Sequence, residues 1–198
     1  MKNTAGIFLD RDGTINEEVE FLSTPDQLRL IPGSAEAIRD ANAAGFNVFI
    51  ITNQSGIARG LLSEQQLSDI HSHLLEILRT HQATIDAVFY CPHHPEMGAA
   101  PYRRECDCRK PRTGMLVRAA AEFNVDLTQS FVIGDRMFDI QAGNNAGCTS
   151  ILVLSGYGKE ELDLCRKNNV PIGHVANNLY AAMQFIKSIA TQQQHSVC

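Results

Sequence analysis

The chain has 198 residues of which 44% are hydrophobic, enough for one compact domain with a substantial buried core. Its net charge of −5 argues against a protein that coats nucleic acid or an anionic membrane, so any anion site must be local. No apolar run nears the roughly 20 residues that span a bilayer, and the run 7–9 is too short for a signal-peptide core and ends at Asp10, so a cytoplasmic protein without a lipid anchor is expected.

Along the chain, short β-rich runs alternate with helical patterns. Residues 6–9 read as a strand and 33–44 as a helix, followed by a strand at 47–51. A Ser63-x-x-Gln66 capping box then opens a helix over 64–80, with Leu67, Ile70, Leu74, Ile77 and Leu78 at helical spacing. After a strand at 87–90 comes a long irregular segment, 91–112, rich in Pro, His, Cys and Arg; loops of that length are usually functional or held by a metal. A helix at 113–124, a strand at 130–133, a helix at 139–146 and a strand at 150–154 complete the alternation. The last amphipathic stretch, 178–190, puts Leu179, Met183, Ile186 and Ile189 on one side, and the polar tail 191–198 is expected to be disordered. The pattern predicts an α/β fold, a parallel sheet flanked by helices in a single domain over 1–190.

Ligands of open parallel sheets bind beyond the carboxyl ends of the strands. Three polar clusters fall there: Asp10-Arg11-Asp12-Gly13-Thr14, Thr52-Asn53-Gln54-Ser55-Gly56 and Gly134-Asp135-Arg136. Phosphoryl transfer needs a nucleophile, a cation, donors for the transferring oxygens and an acid for the leaving alcohol. Asp10, Asp12 and Asp135 can supply carboxylates for the first, second and fourth of these. Of two neighbouring carboxylates one can attack while the other holds a proton, provided burial or a divalent cation separates their pKa values.

The six cysteines divide into Cys148, Cys165 and Cys198, scattered and read as structural or incidental, and Cys91, Cys106 and Cys108, which share the irregular segment. Cys91-x-His93 and Cys106-x-Cys108 offer three thiolates and an imidazole, a set suited to a closed, structural tetrahedral Zn2+ site. His94 is an alternative to His93, and a disulfide or free thiols an alternative to zinc. Arg103, Arg104, Arg109, Lys110 and Arg112 make this segment the basic cluster of an acidic chain, and Arg109 and Arg136 adjoin the polar motifs. Guanidinium groups there could bind phosphate through paired hydrogen bonds.

The ordered set Asp10-x-Asp12-Gly13-Thr14, Thr52, Lys110 and Gly134-Asp135-x-x-x-Asp139 resembles the four signatures of the haloacid dehalogenase (HAD) superfamily, over about 7–139. The resemblance implies a Rossmann-like, HAD-like domain in which Asp10 attacks phosphorus, and Asp12 protonates the leaving group and then activates water. It further implies that Thr52 and Lys110 stabilise the phosphoryl oxygens, and that Mg2+ is held by Asp10, the backbone carbonyl of Asp12, and Asp135. Asp139 is either a direct ligand or a support. With the zinc segment, Cys108-Arg109-Lys110-Pro111 and Gly134-Asp135-Arg136, the chain is similar to the heptose-bisphosphate phosphatases of that superfamily. That similarity implies His93 as the zinc ligand and a sugar bisphosphate as partner, losing its 7-phosphate in the assembly of nucleotide-activated heptose for lipopolysaccharide core. It implies substrate contacts from Arg11, Glu18, Val19, Glu20, Phe21, Asn53, Gln54, Ser55, Arg109 and Arg136.

No long insertion separates Asp12 from Thr52, and no large folded one separates Asn53 from Lys110, so loops and the zinc segment are expected in place of a cap domain, on a monomer. Two rival readings are a histidinol-phosphate phosphatase, which shares the aspartate motifs, and a zinc-stapled nucleic-acid-binding module using the basic loop. Acidic net charge and few aromatics weigh against the second.

Overall fold

In a computed structural model, which describes residues 4–19 and 22–195, six strands form one sheet in the order β3-β2-β1-β4-β5-β6. The strands are β1 (Gly6–Leu9), β2 (Asn47–Asn53), β3 (Ala87–Cys91), β4 (Phe131–Gly134), β5 (Thr149–Val153) and β6 (His174–Ala176), every neighbouring pair parallel. Helices α1 (Ser34–Ala43), α2 (Glu64–Thr80), α3 (Gly114–Phe123), α4 (Met137–Ala146), α5 (Gly158–Lys167) and α6 (Leu179–His195) connect or follow them.

The sheet is covered on both faces, which is why its strands are apolar throughout. Side chains alternate across the pleat: Ile7, Leu9, Val48 and Ile50 face the core shared with α1, α2 and α6, while Phe8, Phe49, Ile51 and Val132 face α3 and α4. On the second side Phe49 is the hub, its ring 5.0 Å from both Phe8 and Phe123. Helix α2 starts where the capping box predicts: Ser63 Oγ accepts from the backbone N–H of Gln66 (3.2 Å), and Gln66 Oε1 accepts from the backbone N–H of Ser63 (2.8 Å).

Several boundaries differ from the sequence reading. Strand β2 runs on to Asn53, so Thr52 lies on the strand, in register with Tyr90. Helix α4 begins at Met137, two residues early, because Asp139 caps it by accepting from the backbone N–H of Arg136 (3.0 Å). Helix α6 continues to His195, where the sequence reading ends it at 190 and expects a disordered tail; a glutamine-rich run carries little helix penalty. The part of that tail after His195 lies outside the described residues. Strand β6 and helix α5 are additions. The strand has three residues and its middle one, Val175, is exposed; the helix buries only Gly158, Glu161 and Cys165, too faint a stripe to stand out.

The order 3-2-1-4-5-6 places a topological switch point between β1 and β4, where the chain's crossovers run in opposite directions and leave a crevice at the carboxyl ends.

Candidate active site

Residues Asp10, Thr52 and Asp135 sit at or just past the carboxyl ends of β1, β2 and β4. Asp10 and Thr52 line one open cleft of about 360 Å³, with Arg11, Asp12, Glu18, Val19, Asn53, Gln54, Ser55, Arg109 and Arg136, while Asp135 is buried beside Asp10. Glu20 and Phe21, the remaining expected substrate contacts, lie outside the described residues.

Lys110 enters from the irregular segment and is buried. Its Nζ donates to Asp10 Oδ1 (2.8 Å) and to the backbone carbonyl of Ile51 (2.7 Å), and pairs with Asp139 Oδ1 (2.6 Å). Burial alone would lower its pKa, but Asp10 and Asp139 outweigh it and raise it, so Lys110 is a fixed cation. Asn53 holds it there: its Nδ2 donates to the Lys110 carbonyl (3.2 Å) and its Oδ1 accepts from the Lys110 backbone N–H (3.1 Å). The expected substrate contact Asn53 thus docks the loop.

The carboxylates Asp10, Asp135 and Asp139 bring oxygens within 4.8 Å of one another. Burial, with Asp139 adding to it and Lys110 opposing it, pushes Asp10 up to about 6. Burial and the charges of Asp10 and Asp139 push Asp135 up to about 8. Such crowding disfavours the ionised forms unless a cation joins them. The two oxygens of Asp139 are engaged, by Lys110 and by the α4 N-terminus. Asp135 Oδ1 is buried with no hydrogen-bond partner, as is Asp139 Oδ1 apart from its ion pair with Lys110, an arrangement that a hard, oxygen-seeking cation fits. Close packing keeps Asp135 aimed. Gly13, at φ 77°, and Gly156, at φ 55°, lie so near that a Cβ on either would come within 2.2 Å of Asp135 Oδ2.

Asp12 is bound differently. The Arg11 guanidinium grips both its oxygens, Nη2 at 2.8 Å from Oδ1 and 2.6 Å from Oδ2, with Nε at 3.0 Å. Asn16 Nδ2 (2.9 Å) and Gln54 Nε2 (3.0 Å) add donors, and Gln54 Nε2 also reaches Thr52 Oγ1 (2.9 Å). Burial, which on its own raises the pKa, is overcome by Arg11 and these donors, so Asp12 is held below the usual carboxylate range. Arg11 is committed in turn: its Nη1 meets His71 Nε2 of α2 at 3.2 Å. Burial and then Arg11 push His71 down to about 3, leaving a neutral ring that accepts the hydrogen bond.

The second cluster is the sulfur and nitrogen set. Cys91, His93, Cys106 and Cys108 converge, with Cys91 Sγ 3.5 Å from Cys106 Sγ, Cys106 3.3 Å from Cys108, and His93 Nδ1 3.4 Å from Cys108 Sγ and 3.7 Å from Cys91 Sγ. These cysteines are free, and donors at such spacing suit one tetrahedral ion with ligand bonds of about 2.0–2.3 Å. His94 is turned away, its Nδ1 accepting from the backbone N–H groups of Glu96 (3.1 Å) and Met97 (2.9 Å). Cys91 ends β3, opposite Asn53 in register, so the cluster is anchored on the strand beside Thr52. Of the loop cations, Arg109 lines the cleft, while Arg112 is turned outward to Glu105 and Asp107.

Contributors not singled out in the sequence include Asn16, His71, Arg59, Leu22, Phe138, Glu161 and Tyr157. Arg59 and Leu22 line the cleft, and Tyr157 donates its backbone N–H to Asp135 Oδ2 (2.9 Å). The Ser155-Gly156-Tyr157-Gly158 turn just past β5 was the available signal for the last two.

The chain is similar to several known proteins. The HAD-hydrolase-like family matches residues 107–182. D-glycero-D-manno-heptose-1,7-bisphosphate 7-phosphatase of Chlorobaculum tepidum is 40% identical over 189 residues, covering 92% of this chain and 94% of that protein. D-glycero-beta-D-manno-heptose-1,7-bisphosphate 7-phosphatase of Rhodopseudomonas palustris is 50% identical over 140 residues, 71% of this chain and 78% of its own. The crystal structure of D,D-heptose 1,7-bisphosphate phosphatase from B. bronchiseptica, complexed with magnesium and phosphate, superposes with a TM-score of 0.83 at 36% identity, covering 93% of this chain and 99% of that one.

Proposed function

Because the chain belongs to the D-glycero-D-manno-heptose-1,7-bisphosphate 7-phosphatase family of HAD-like hydrolases, we propose that it removes the 7-phosphate of a heptose 1,7-bisphosphate through an aspartyl-phosphate intermediate. The observation that carries this reading is that Asp10, Asp12 and Thr52 line one cleft together with Arg59, Arg109 and Arg136, with buried Lys110 donating to Asp10.

Asp10 attacks phosphorus and the bond from phosphorus to the C7 oxygen breaks. Lys110 and the Thr52 hydroxyl stabilise charge on the phosphoryl oxygens. Arg11 keeps resting Asp12 ionised, so the proton for the leaving oxygen arrives with the substrate, whose second phosphate ionisation lies near pH 6, and Asp12 relays it. Asp12 then takes a proton from the water that hydrolyses the acyl phosphate, releasing inorganic phosphate and restoring Asp10, and gives that proton up to solvent to regain its resting, ionised state. Asp10, Asp135 and the backbone carbonyl of Asp12 would hold Mg2+, with Asp139 in support; when bound, it neutralises phosphate charge and permits Asp10 and Asp135 to ionise together. Cys91, His93, Cys106 and Cys108 would hold a structural Zn2+ that fixes the loop carrying Arg109 and Lys110. We assign the reaction to the cytoplasm, in the supply of nucleotide-activated heptose for lipopolysaccharide core. Among the described residues no helix is long and apolar enough to cross a membrane.

The test is Mg2+-dependent phosphate release from both anomers of heptose 1,7-bisphosphate, beside histidinol phosphate and fructose 1,6-bisphosphate, with Asp10→Asn as control. We expect preference for one heptose anomer and no turnover by the variant. Fastest release from histidinol phosphate would overturn the substrate, and substantial activity of Asp10→Asn would overturn the nucleophile.

A further inference from the structure

The segment after β5 lies outside all four catalytic motifs yet touches the cleft twice. The Tyr157 backbone holds Asp135, as described, and the Tyr157 ring lies 3.6 Å from the guanidinium carbon of Arg136. One turn further on, Glu161 is buried. Its Oε2 accepts from the backbone N–H of Met137 (2.8 Å) and its Oε1 lies 3.5 Å from Arg136 Nη1. Tyr157, Phe138 and Arg136 line the cleft. Arg136 keeps 30% of its side chain exposed, against 11% for Glu161.

An arginine that captures an anion loses rotamer freedom, and binding is weakened by that loss unless the side chain is already fixed. Here a ring face and a buried carboxylate fix it in advance, while only Nη1 is engaged by Glu161. We propose that Tyr157 and Glu161 are positioning residues that hold Arg136 ready for the second, non-reacting phosphate, and thereby set a preference for bisphosphates over monophosphates. The inference rests on the proposed function. A merely structural role for Glu161, holding the α4 N-terminus through Met137, is separable: Glu161→Gln keeps an acceptor for that N–H and loses the ion pair with Arg136.

The experiment compares KM and kcat for heptose 1,7-bisphosphate and for p-nitrophenyl phosphate in wild type, Glu161→Gln, Tyr157→Leu, Tyr157→Phe and Arg136→Ala, and in the first two changes combined with Arg136→Ala. Thermal melts check folding. Glu161→Gln and Tyr157→Leu should each raise KM for the bisphosphate about three- to tenfold, the range a cation–ring contact or a partly buried ion pair supports. For Glu161→Gln, kcat should stay within about twofold and the monophosphate constants should not move, and Tyr157→Leu is read by the ratio of the two KM values. Tyr157→Phe, which keeps the ring, should restore wild-type behaviour, and in the Arg136→Ala background neither change should cost anything further. Equal losses on both substrates, or additive losses with Arg136→Ala, would overturn the inference; if Tyr157→Leu does not fold, the same ratio in Glu161→Gln decides. A wild type without bisphosphate preference brings down the proposed function and this inference together. Preference that survives in the variants brings down the inference alone.

Discussion

Lys110 shows how much of this site rests on single buried charges. Its Nζ lies between Asp10 and Asp139 with no solvent exposure. Removing one partner of a buried ion pair leaves the other charge uncompensated, at a cost of about 3–5 kcal/mol. Lys110→Met should therefore lower the unfolding free energy from urea titration by that much in metal-free protein, with part recovered by Mg2+; an unchanged free energy would mean that Asp10 and Asp139 share a proton instead. His71 makes a second prediction. Its pKa is about 3 when folded and roughly 6.5 when unfolded, so between those values the unfolded chain binds the proton more tightly and stability falls as pH drops. His71→Gln should flatten that part of a stability-against-pH curve, and an unaltered slope would mean that the ring protonates in place. The positions of Asp10, Asp12, Thr52 and Asp135 were legible because each stands at or beside a strand end that hydrophobic patterning already marks, whereas Lys110, in the irregular segment, was read only through the family resemblance. The Arg11 to Asp12 pairing was not legible. Neighbours on a strand point to opposite faces, and these two can meet only because the chain has left the strand and turned.

At the scale of elements, the irregular segment is the part whose structure, on the proposed zinc reading, depends most on a ligand. It is tied down at its start by Cys91 on β3, at its end by the Asn53 clamp on Lys110, and between them by Tyr102, whose hydroxyl donates to Glu64 of α2 (2.8 Å). Between those ties the four sulfur and nitrogen donors converge, Cys91 within the core on the α3 and α4 side and Cys106 and Cys108 at its edge. Cys106→Ser should cut bound zinc well below one equivalent and expose the segment between β3 and α3 to protease, while the sheet stays intact by circular dichroism. Full zinc content in that variant would exclude Cys106 as a ligand. The same scale explains the missed elements. Helix α5 matters through Tyr157 at its start and Glu161 one turn on, and these act on Asp135, Arg136 and Met137 where β4 leads into α4; a partner so distant in sequence leaves no local periodicity to read.

For the molecule as a whole, the sheet divides the protein into two cores that share only strand backbone, and the cleft lies at the carboxyl ends of those strands. Stability and chemistry are therefore separable by mutation. Phe49 is fully buried on the α3 and α4 side, stacked on Phe8 and edge-on to Phe123, and its nearest catalytic neighbour along β2 is Thr52. Phe49→Ala should cost about 3–5 kcal/mol through lost burial and the cavity it leaves, which for a chain of this size lowers Tm by roughly 6–20 °C. The strand backbone that carries Thr52 is held on both sides by β1 and β3, so KM and kcat measured well below the new Tm should stay close to wild type. A variant that melts early but turns over normally would show that the second core stabilises the sheet without shaping the cleft. A matching loss of kcat would show instead that the packing of β2 sets the position of Thr52, and that the two roles are coupled through that strand.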